Sequence, residues 1–275
     1  MSKSAAPHEQ RNALCSGYVD RISVPVIPTK SKVARQLKGV HLYHYALSNC
    51  SQRCRLALEI KGIPWHSHHL NLAAKEHLTP DYIEINPNAV VPTLVHNGRV
   101  VIESNDIVDY IDQGFPGSRF WPDDVRDRGA VNALLEASSD VQDSIKTLSH
   151  EYMFQGRRQQ TSLAEIAQMK AAGANSGLVS FLRDFVDDGR AWELRVIKAH
   201  EDVTRRLVQL NERINQTKAW LTGSRYGIAD ISWSVNYYRL MQCGVDMSRA
   251  PDFAALGLKL IEGPAFSKAV IEYRT

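Results

Sequence analysis

The fold turns on Leu42-Tyr43-His44-Tyr45-Ala46-Leu47-Ser48-Asn49-Cys50-Ser51-Gln52-Arg53-Cys54-Arg55-Leu56-Ala57-Leu58. At its entry Val40 and Leu42 alternate with His41 and Tyr43, the period-2 pattern of a strand. Small polar residues break the pattern, and Ser48 or Asn49 is a natural N-cap. Cys54, Ala57, Leu58 and Ile60 then recur at helical spacing up to Gly62, which predicts the helix stop there. A strand feeding directly into a helix leaves backbone N–H groups unused at the helix start, where negative charge is welcome. Ser48 and Cys50 lie at that start, so the chemistry is expected there.

Outward from this stretch, residues 38–113 alternate strand and helix. Trp65 to Leu72 is a second strand candidate. Asn86-Pro87-Asn88-Ala89-Val90-Val91-Pro92-Thr93-Leu94-Val95 reads as a turn and then an apolar strand interrupted by proline. Asn97-Gly98 is a two-residue hairpin signal, so Thr93–Val95 and Val100–Ile102 are expected to pair antiparallel. Glu103-Ser104-Asn105-Asp106 starts a helix that stops near Gly114-Phe115-Pro116-Gly117. The resulting order, β-α-β-(α)-β-β-α, describes a small mixed sheet with helices.

Beyond Pro122 no strand pattern survives. One long helix is expected over 126–152 and another over 192–214, with Gly173-Ala174-Asn175-Ser176-Gly177 separating two shorter helical pieces. In Tyr226-Gly227-Ile228-Ala229-Asp230-Ile231, Gly227 as N-cap places Asp230 at N3, where it accepts the cap's N–H, and spaces Tyr226 and Ile231 as a hydrophobic staple. Residues 231–241 should then form a buried helix, its few polar residues being Ser232, Ser234, Asn236 and Arg239. The domain reading is an N-terminal extension (1–38), an α/β domain (39–114), a linker (115–122) and an all-helical domain (123–275). The extension is read as extended over Val24-Pro25-Val26-Ile27-Pro28, because a following proline disfavours helix.

Bulk composition excludes several classes. The chain has 275 residues, 44% of them hydrophobic and 23% charged, and a formal charge of +3. That charge is too small to point to nucleic acid. No apolar run approaches the roughly 20 residues of a membrane span, and no secretory h-region is seen. The four cysteines show no disulfide-framework spacing, which fits a reducing cytoplasm. His66, His68 and His69 invite a metal reading, but no cysteine or carboxylate cluster completes a site, so no metal is assigned. Arg157-Arg158 reads as a solvated pair.

Four motifs in chain order resemble the cytosolic glutathione transferases. Ser48-Asn49-Cys50-Ser51-Gln52-Arg53 resembles the Ser-Ser-Cys-x-x-Arg signature of the zeta class, the maleylacetoacetate isomerases. Asn86-Pro87 with Val91-Pro92-Thr93-Leu94 resembles the family's loop ending in a cis-proline. Glu103-Ser104 resembles its acidic residue–serine pair, and Gly227-Ile228-Ala229-Asp230 the capping box of its central buried helix. Asn49 stands in place of the second serine, and Gly227 in place of the usual Ser or Thr cap. The extension and the 155–200 segment are longer than in an ordinary zeta enzyme. The larger helical domain is more similar to the tetrachlorohydroquinone reductive dehalogenases, whose nucleophile is the cysteine matching Cys50.

The resemblance implies a thioredoxin-like N-terminal domain plus an all-α C-terminal domain, a cytoplasmic homodimer, and glutathione as co-substrate. Glutathione's thiol, with a cysteine-like pKa of about 8.5, needs roughly 2.7 kcal/mol of preference for thiolate to titrate two units lower. A hydroxyl donating to the sulfur supplies about 1–1.5 kcal/mol, and a helix N-terminus up to about 1 kcal/mol. Ser48 therefore nearly meets the need. Two roles are open for Cys50: helping to hold the thiolate, or attacking a glutathionyl sulfur to give a mixed disulfide. Asn49 shares the helix start. Val91 ahead of Pro92 is expected to pair with the tripeptide backbone, as in β-augmentation, and Glu103 and Ser104 to hold its γ-glutamyl end. The electrophile pocket is expected between the domains, lined by His150, Phe154, Trp233 and Tyr237, which suits an apolar or aromatic substrate. Arg53 and Arg55 could instead receive a dicarboxylate in a cis–trans isomerase, and a non-catalytic interaction protein on the same fold is the third reading.

Overall fold

The computed structural model describes residues 23–171 and 176–273. Most of the expected N-terminal extension and the Gly173-Ala174-Asn175 break lie outside the described residues. The chain divides into two compact units, each taken by itself below: one comprises residues up to 135, 219–235 and those from 258 onward, the other 136–218 and 236–257.

In the first unit the pivotal stretch folds as its pattern dictates. Strand β1 (Val40–His44) leads through a short turn into a helix (Asn49–Lys61) that ends at Gly62 with φ +62°. Upstream, α1 (Lys32–Gln36) is capped by the Ser31 side chain, so that helix is α2. Strand β2 (His66–His69) pairs parallel to β1, as a strand–helix–strand crossover requires. After α3 (Pro80–Ile85), β3 (Thr93–His96) and β4 (Arg99–Val101) form the hairpin, with Asn97 and Gly98 both at positive φ, as a two-residue turn of this kind demands. Helix α4 (Ser104–Gly114) follows. The four strands lie in the order β2-β1-β3-β4.

Ahead of β1, Ile27, Ala34 and Leu37 pack into this core. Ala34 is fully buried with Tyr43, Tyr82, Ile85, Val95 and Val100, and Ile27 bridges Val100. The linker is fixed by Asp112, which has no exposure: it takes the Lys61 ammonium at 2.9 Å and the Phe120 N–H at 2.8 Å.

Past the linker, the single helix expected over 126–152 is two, α5 (Val125–Asp140) and α6 (Gln142–Tyr152). At the break the Gln142 side chain donates to the Ser138 carbonyl at 2.7 Å, the group that an unbroken helix offers to residue 142's backbone N–H. In the second unit, α7 (Leu163–Ala171), α8 (Ser176–Asp187) and α9 (Arg190–Thr217) carry the long inserted segment. Phe181, Phe185 and Trp192 form its own aromatic core. Arg158 is not a solvated residue: it pairs with Glu151 at 2.9 Å and Asp188 at 2.6 Å, and Trp192 Nε1 donates to the same Glu151 oxygen that Arg158 binds. Half-buried, the cation is received by both neighbouring carboxylates and by the faces of Phe185 and Trp192.

Helix α10 (Ile228–Gln242) begins at the expected capping box, Gly227 N–H donating to Asp230 at 3.0 Å. Asp230 also accepts from Leu221 and Thr222 N–H groups. Gly227 lacks a capping hydroxyl, and Thr222 Oγ1 supplies it by accepting the Ala229 N–H at 3.1 Å. A Cβ on residue 227 would run into the Phe120 carbonyl and the Thr222 methyl. The chain ends with α11 (Pro251–Ile261), a short turn at Pro264–Phe266, and a π-helical segment at Ser267–Ile271.

Replacing Gly227 by Ala should destabilise the protein by about 2 kcal/mol or more, because overpacking outweighs alanine's better propensity; a melting temperature at or above wild type would refute this. Acid should also destabilise it. Burial first, then nearby cations, lowers the pKa of His44 to about 3 and of His96 and His150 to about 4. Below about pH 6.5 the unfolded chain gains protons at these imidazoles that the folded chain refuses, so stability is lost as pH falls toward 4. Asp230, raised to about 6 by burial, opposes this in the same window but is one group against three. Denaturant titrations at pH 7 and 4.5 check the sign.

Candidate functional site

The strand register gathers the candidate residues at one end of the sheet. Leu42 lies opposite Leu94, and Leu94 opposite Val101. The exit of β1, the entry of β3 and the exit of β4 are therefore side by side. Ser48, Asn49 and Cys50 follow β1, Val91 and Pro92 precede β3, and Glu103 and Ser104 follow β4. No local pattern in the sequence brings these three segments together; the antiparallel pairing does.

Ser48 is the N-cap of α2, its hydroxyl oxygen accepting the Ser51 N–H at 3.3 Å. A hydroxyl that accepts still has its own hydrogen to donate. Cys50 is half-buried on the first turn. Cys54, one turn on, is fully buried; its thiol donates to the Ser104 carbonyl at 3.7 Å, and burial pushes its pKa far up, so it stays a thiol.

The peptide bond from Val91 to Pro92 is cis. Val91 is half-buried, and among the described residues its backbone N–H and C=O make no hydrogen bond. The turn ahead of it is clamped from within. Fully buried Asn86 donates to the Val90 carbonyl at 3.0 Å and to Thr93 Oγ1 at 2.9 Å, and it accepts the Asn88 N–H at 3.0 Å. The Tyr82 hydroxyl also donates to the Val90 carbonyl.

Glu103 precedes α4 at φ +62°, ψ 120°, a region that non-glycine residues occupy at a cost, and its carboxylate is exposed. Ser104 is buried, and its hydroxyl accepts from Arg53 Nη1 at 2.7 Å. The hydroxyl that accepts from Arg53 keeps its own hydrogen, so Ser104 offers an anion both that O–H and the helix start. Asp106, on the same first turn and not singled out from sequence, has its carboxyl pKa raised by burial and then by Glu103 and Asp109. Two acids close together at this spot favour an amine. The signal was present in the sequence, as an acidic residue three positions after Glu103.

Arg53 and Arg55 are each 1% exposed, so neither can receive a dicarboxylate. Their positions two apart on a helix send them to different neighbours: Arg53 to Ser104, Arg55 to the turn before Ser48. Of the residues expected to line an electrophile pocket, Trp233 and Tyr237 are packed inside their own units, while His150 and Phe154 are half-buried. Trp233 is 1% exposed and its indole donates to the Leu134 carbonyl at 3.0 Å. Tyr237 is 3% exposed against Phe253 and the Gly257 backbone. The His150 ring lies edge-on to Phe154, Phe181 and Phe185. Apolar aromatic area is buried first by core packing, and these rings supply it. Among the described residues no group of three His, Cys, Asp or Glu is arranged to hold a metal, and no helix is long and apolar enough to cross a membrane.

The sheet order β2-β1-β3-β4, with the starts of α2 and α4 at one end, is the thioredoxin-like class of fold. The family model for the glutathione S-transferase N-terminal domain matches residues 42–119. The tetrachloro-p-hydroquinone reductive dehalogenase of Sphingobium chlorophenolicum is 30% identical over 207 residues, 73% of this chain and 82% of that protein. Glutathione S-transferase 1 of Dianthus caryophyllus is 35% identical over 42% of this chain, and the chain spans about half, 51%, of that relative's length. The theta-class glutathione S-transferase of Xanthomonas axonopodis pv. citri, solved with glutathione bound, is 19% identical and has the same fold, with a TM-score of 0.66 over 87% of this chain and 100% of that one. The chain belongs to the glutathione S-transferase family of enzymes.

Asn86→Ala should cost about 2–3 kcal/mol, since three buried hydrogen bonds lose their partner. Thermal denaturation checks it: a melting temperature within a degree of wild type would show that the clamp is not what holds the turn before Pro92.

Proposed function

We propose that this protein binds glutathione across the sheet end described above and directs its thiolate at an apolar or aromatic electrophile. The tripeptide backbone pairs with Val91, its γ-glutamyl carboxylate meets the start of α4 at Ser104, and its amine meets Glu103 and Asp106. The sulfur then lies over the start of α2, where Asn49 shares the helix N-terminus and the Ser48 hydroxyl donates to the thiolate. Cys50 assists, or takes the glutathionyl sulfur from a glutathionylated aromatic as a mixed disulfide while the aromatic leaves and picks up a proton. The observation that carries the reading is one alignment: two helix starts and the unpartnered backbone of Val91 at a single edge of the sheet. The likeness to the reductive dehalogenase supports thiol transfer over simple conjugation. The isomerase reading loses its dicarboxylate receivers with Arg53 and Arg55 buried. The family likeness supports a cytoplasmic homodimer.

The test is titration calorimetry with glutathione, followed by assays of conjugation and thiol transfer. Micromolar-to-millimolar binding is expected, and an intact fold that binds none would sink the proposal. Ser48→Ala should cut conjugation at neutral pH by about 10- to 100-fold, with the loss shrinking at alkaline pH as the thiol ionises unaided. Cys50→Ser should leave conjugation within about threefold but abolish thiol transfer, the nucleophile of that step being the cysteine. Unchanged rates in both assays would remove Cys50 from the chemistry.

A further inference from the structure

Tyr45, Ala46 and Leu47 join β1 to α2 and set where Ser48 stands, and the first turns of α2 reach back to hold them. Tyr45 N–H donates to Ser51 Oγ at 3.3 Å, and Ser48 N–H donates to the Tyr45 carbonyl at 3.1 Å. Gln52 Nε2 donates to the Ala46 carbonyl at 3.4 Å. The remaining link is Arg55, whose Nη1 donates to the Tyr45 carbonyl at 3.3 Å and Nη2 to the Ala46 carbonyl at 2.9 Å.

Arg55 has no carboxylate partner among the described residues. Its charge is met by carbonyl dipoles, an imidazole nitrogen and an aromatic face. Nε donates to the Ala269 carbonyl at 2.8 Å, and the guanidinium carbon lies 4.2 Å from the centre of the Tyr273 ring. Nη1 also donates to His44 Nδ1 at 3.2 Å. Arg55 can only donate, so the neutral His44 carries its hydrogen on Nε2, which lies 2.9 Å from Ser67 Oγ and 3.2 Å from the Tyr273 hydroxyl. Trp65 stacks on Tyr273, with ring centres 6.3 Å apart, and lies edge-on to His44. One guanidinium thus ties the C-terminal segment to the turn that precedes the first helix. Its donors lie in a rigid plane, so a shift at Ala269 or Tyr273 is passed to Tyr45 and Ala46 rather than absorbed.

We propose that Arg55, seated by Ala269 and Tyr273 of the C-terminal segment, is the positioning residue that holds the Ser48 hydroxyl on the glutathione sulfur. The inference rests on the role given to Ser48 above. Arg55 touches neither sulfur nor electrophile. It sets the orientation of the group that does, and a small misplacement of such a group is costly to rate but not to binding of a ligand held mainly at Val91, Glu103 and Ser104.

The test uses the full chain with Tyr273→Ala, Tyr273→Phe and Arg55→Lys, reading glutathione affinity, melting temperature and the ultraviolet absorbance of bound thiolate against pH. Tyr273→Ala and Arg55→Lys should keep affinity within about threefold, raise the pKa of the bound thiol by about half to one unit, and cut turnover at neutral pH about tenfold. Tyr273→Phe keeps the ring over the guanidinium and should stay near wild type. Tyr273 is half-buried at the end of the described chain, so its variants carry the test alone if Arg55→Lys does not fold. A folded Tyr273→Ala protein with wild-type thiol pKa and turnover overturns the proposal, as does a Tyr273→Phe protein impaired like the Ala variant. A wild-type chain that binds no glutathione is a separate result: it refutes the proposed function itself.

Discussion

A buried guanidinium must have its donors answered, or its burial costs several kcal/mol. Helix α2 buries two of them, two residues apart, and their different partners shape the α/β unit around its first helix. Arg53 reaches the start of α4 through Ser104. Arg55 reaches the turn after β1 and the C-terminal segment through four oxygen and nitrogen acceptors and an aromatic face. The strand-to-helix transition is thereby pinned on both sides. The start of α2 has fixed neighbours, although its own side chains, Ser48 and Cys50, are small and half-buried.

The same economy of polar groups appears at α10. Asp230 gathers three backbone N–H groups, and Thr222 provides the hydroxyl that a Ser or Thr at position 227 would otherwise bring. The replacement is forced: the Phe120 carbonyl occupies the space where a side chain at 227 would stand. The polar residues along the buried helix also find partners, Ser232 at Asn105 and Asn236 at Gln142. In the second unit the inserted segment builds a core of its own, with Arg158 and Trp192 both converging on Glu151.

Much of the first unit was legible because its signals are local. The N-cap at Ser48, the glycine stop at Gly62, the Asn97-Gly98 hairpin and the Gly227–Asp230 box each depend on residues within a few positions of one another. Their φ preferences and hydrogen bonds need no distant partner. The break between α5 and α6 was missed because it rests on one side chain competing for one carbonyl inside an otherwise helical pattern. Trp233 and Tyr237 look like pocket residues in the sequence because aromatic composition is the same whether it faces a ligand or a core. Arg53 and Arg55 look available, and Arg158 solvated, in the sequence because charge alone reveals neither burial nor ion pairing.

Sequence alone determined the strand–helix order of residues 40–114, the caps at Ser48, Gly62 and Gly227, the Asn97-Gly98 turn, and the segments that carry Ser48, Cys50, Val91 and Glu103, since each follows from near-neighbour backbone chemistry. Tertiary structure alone decided that these segments share one end of the sheet, that Ser104 is already bonded to Arg53, and that Arg55 joins Ala269 and Tyr273 to the turn after β1. Those facts depend on contacts between positions 50 to more than 200 residues apart. Such contacts are chosen by which groups can be buried with their hydrogen bonds intact, and that choice is made only when the whole unit closes.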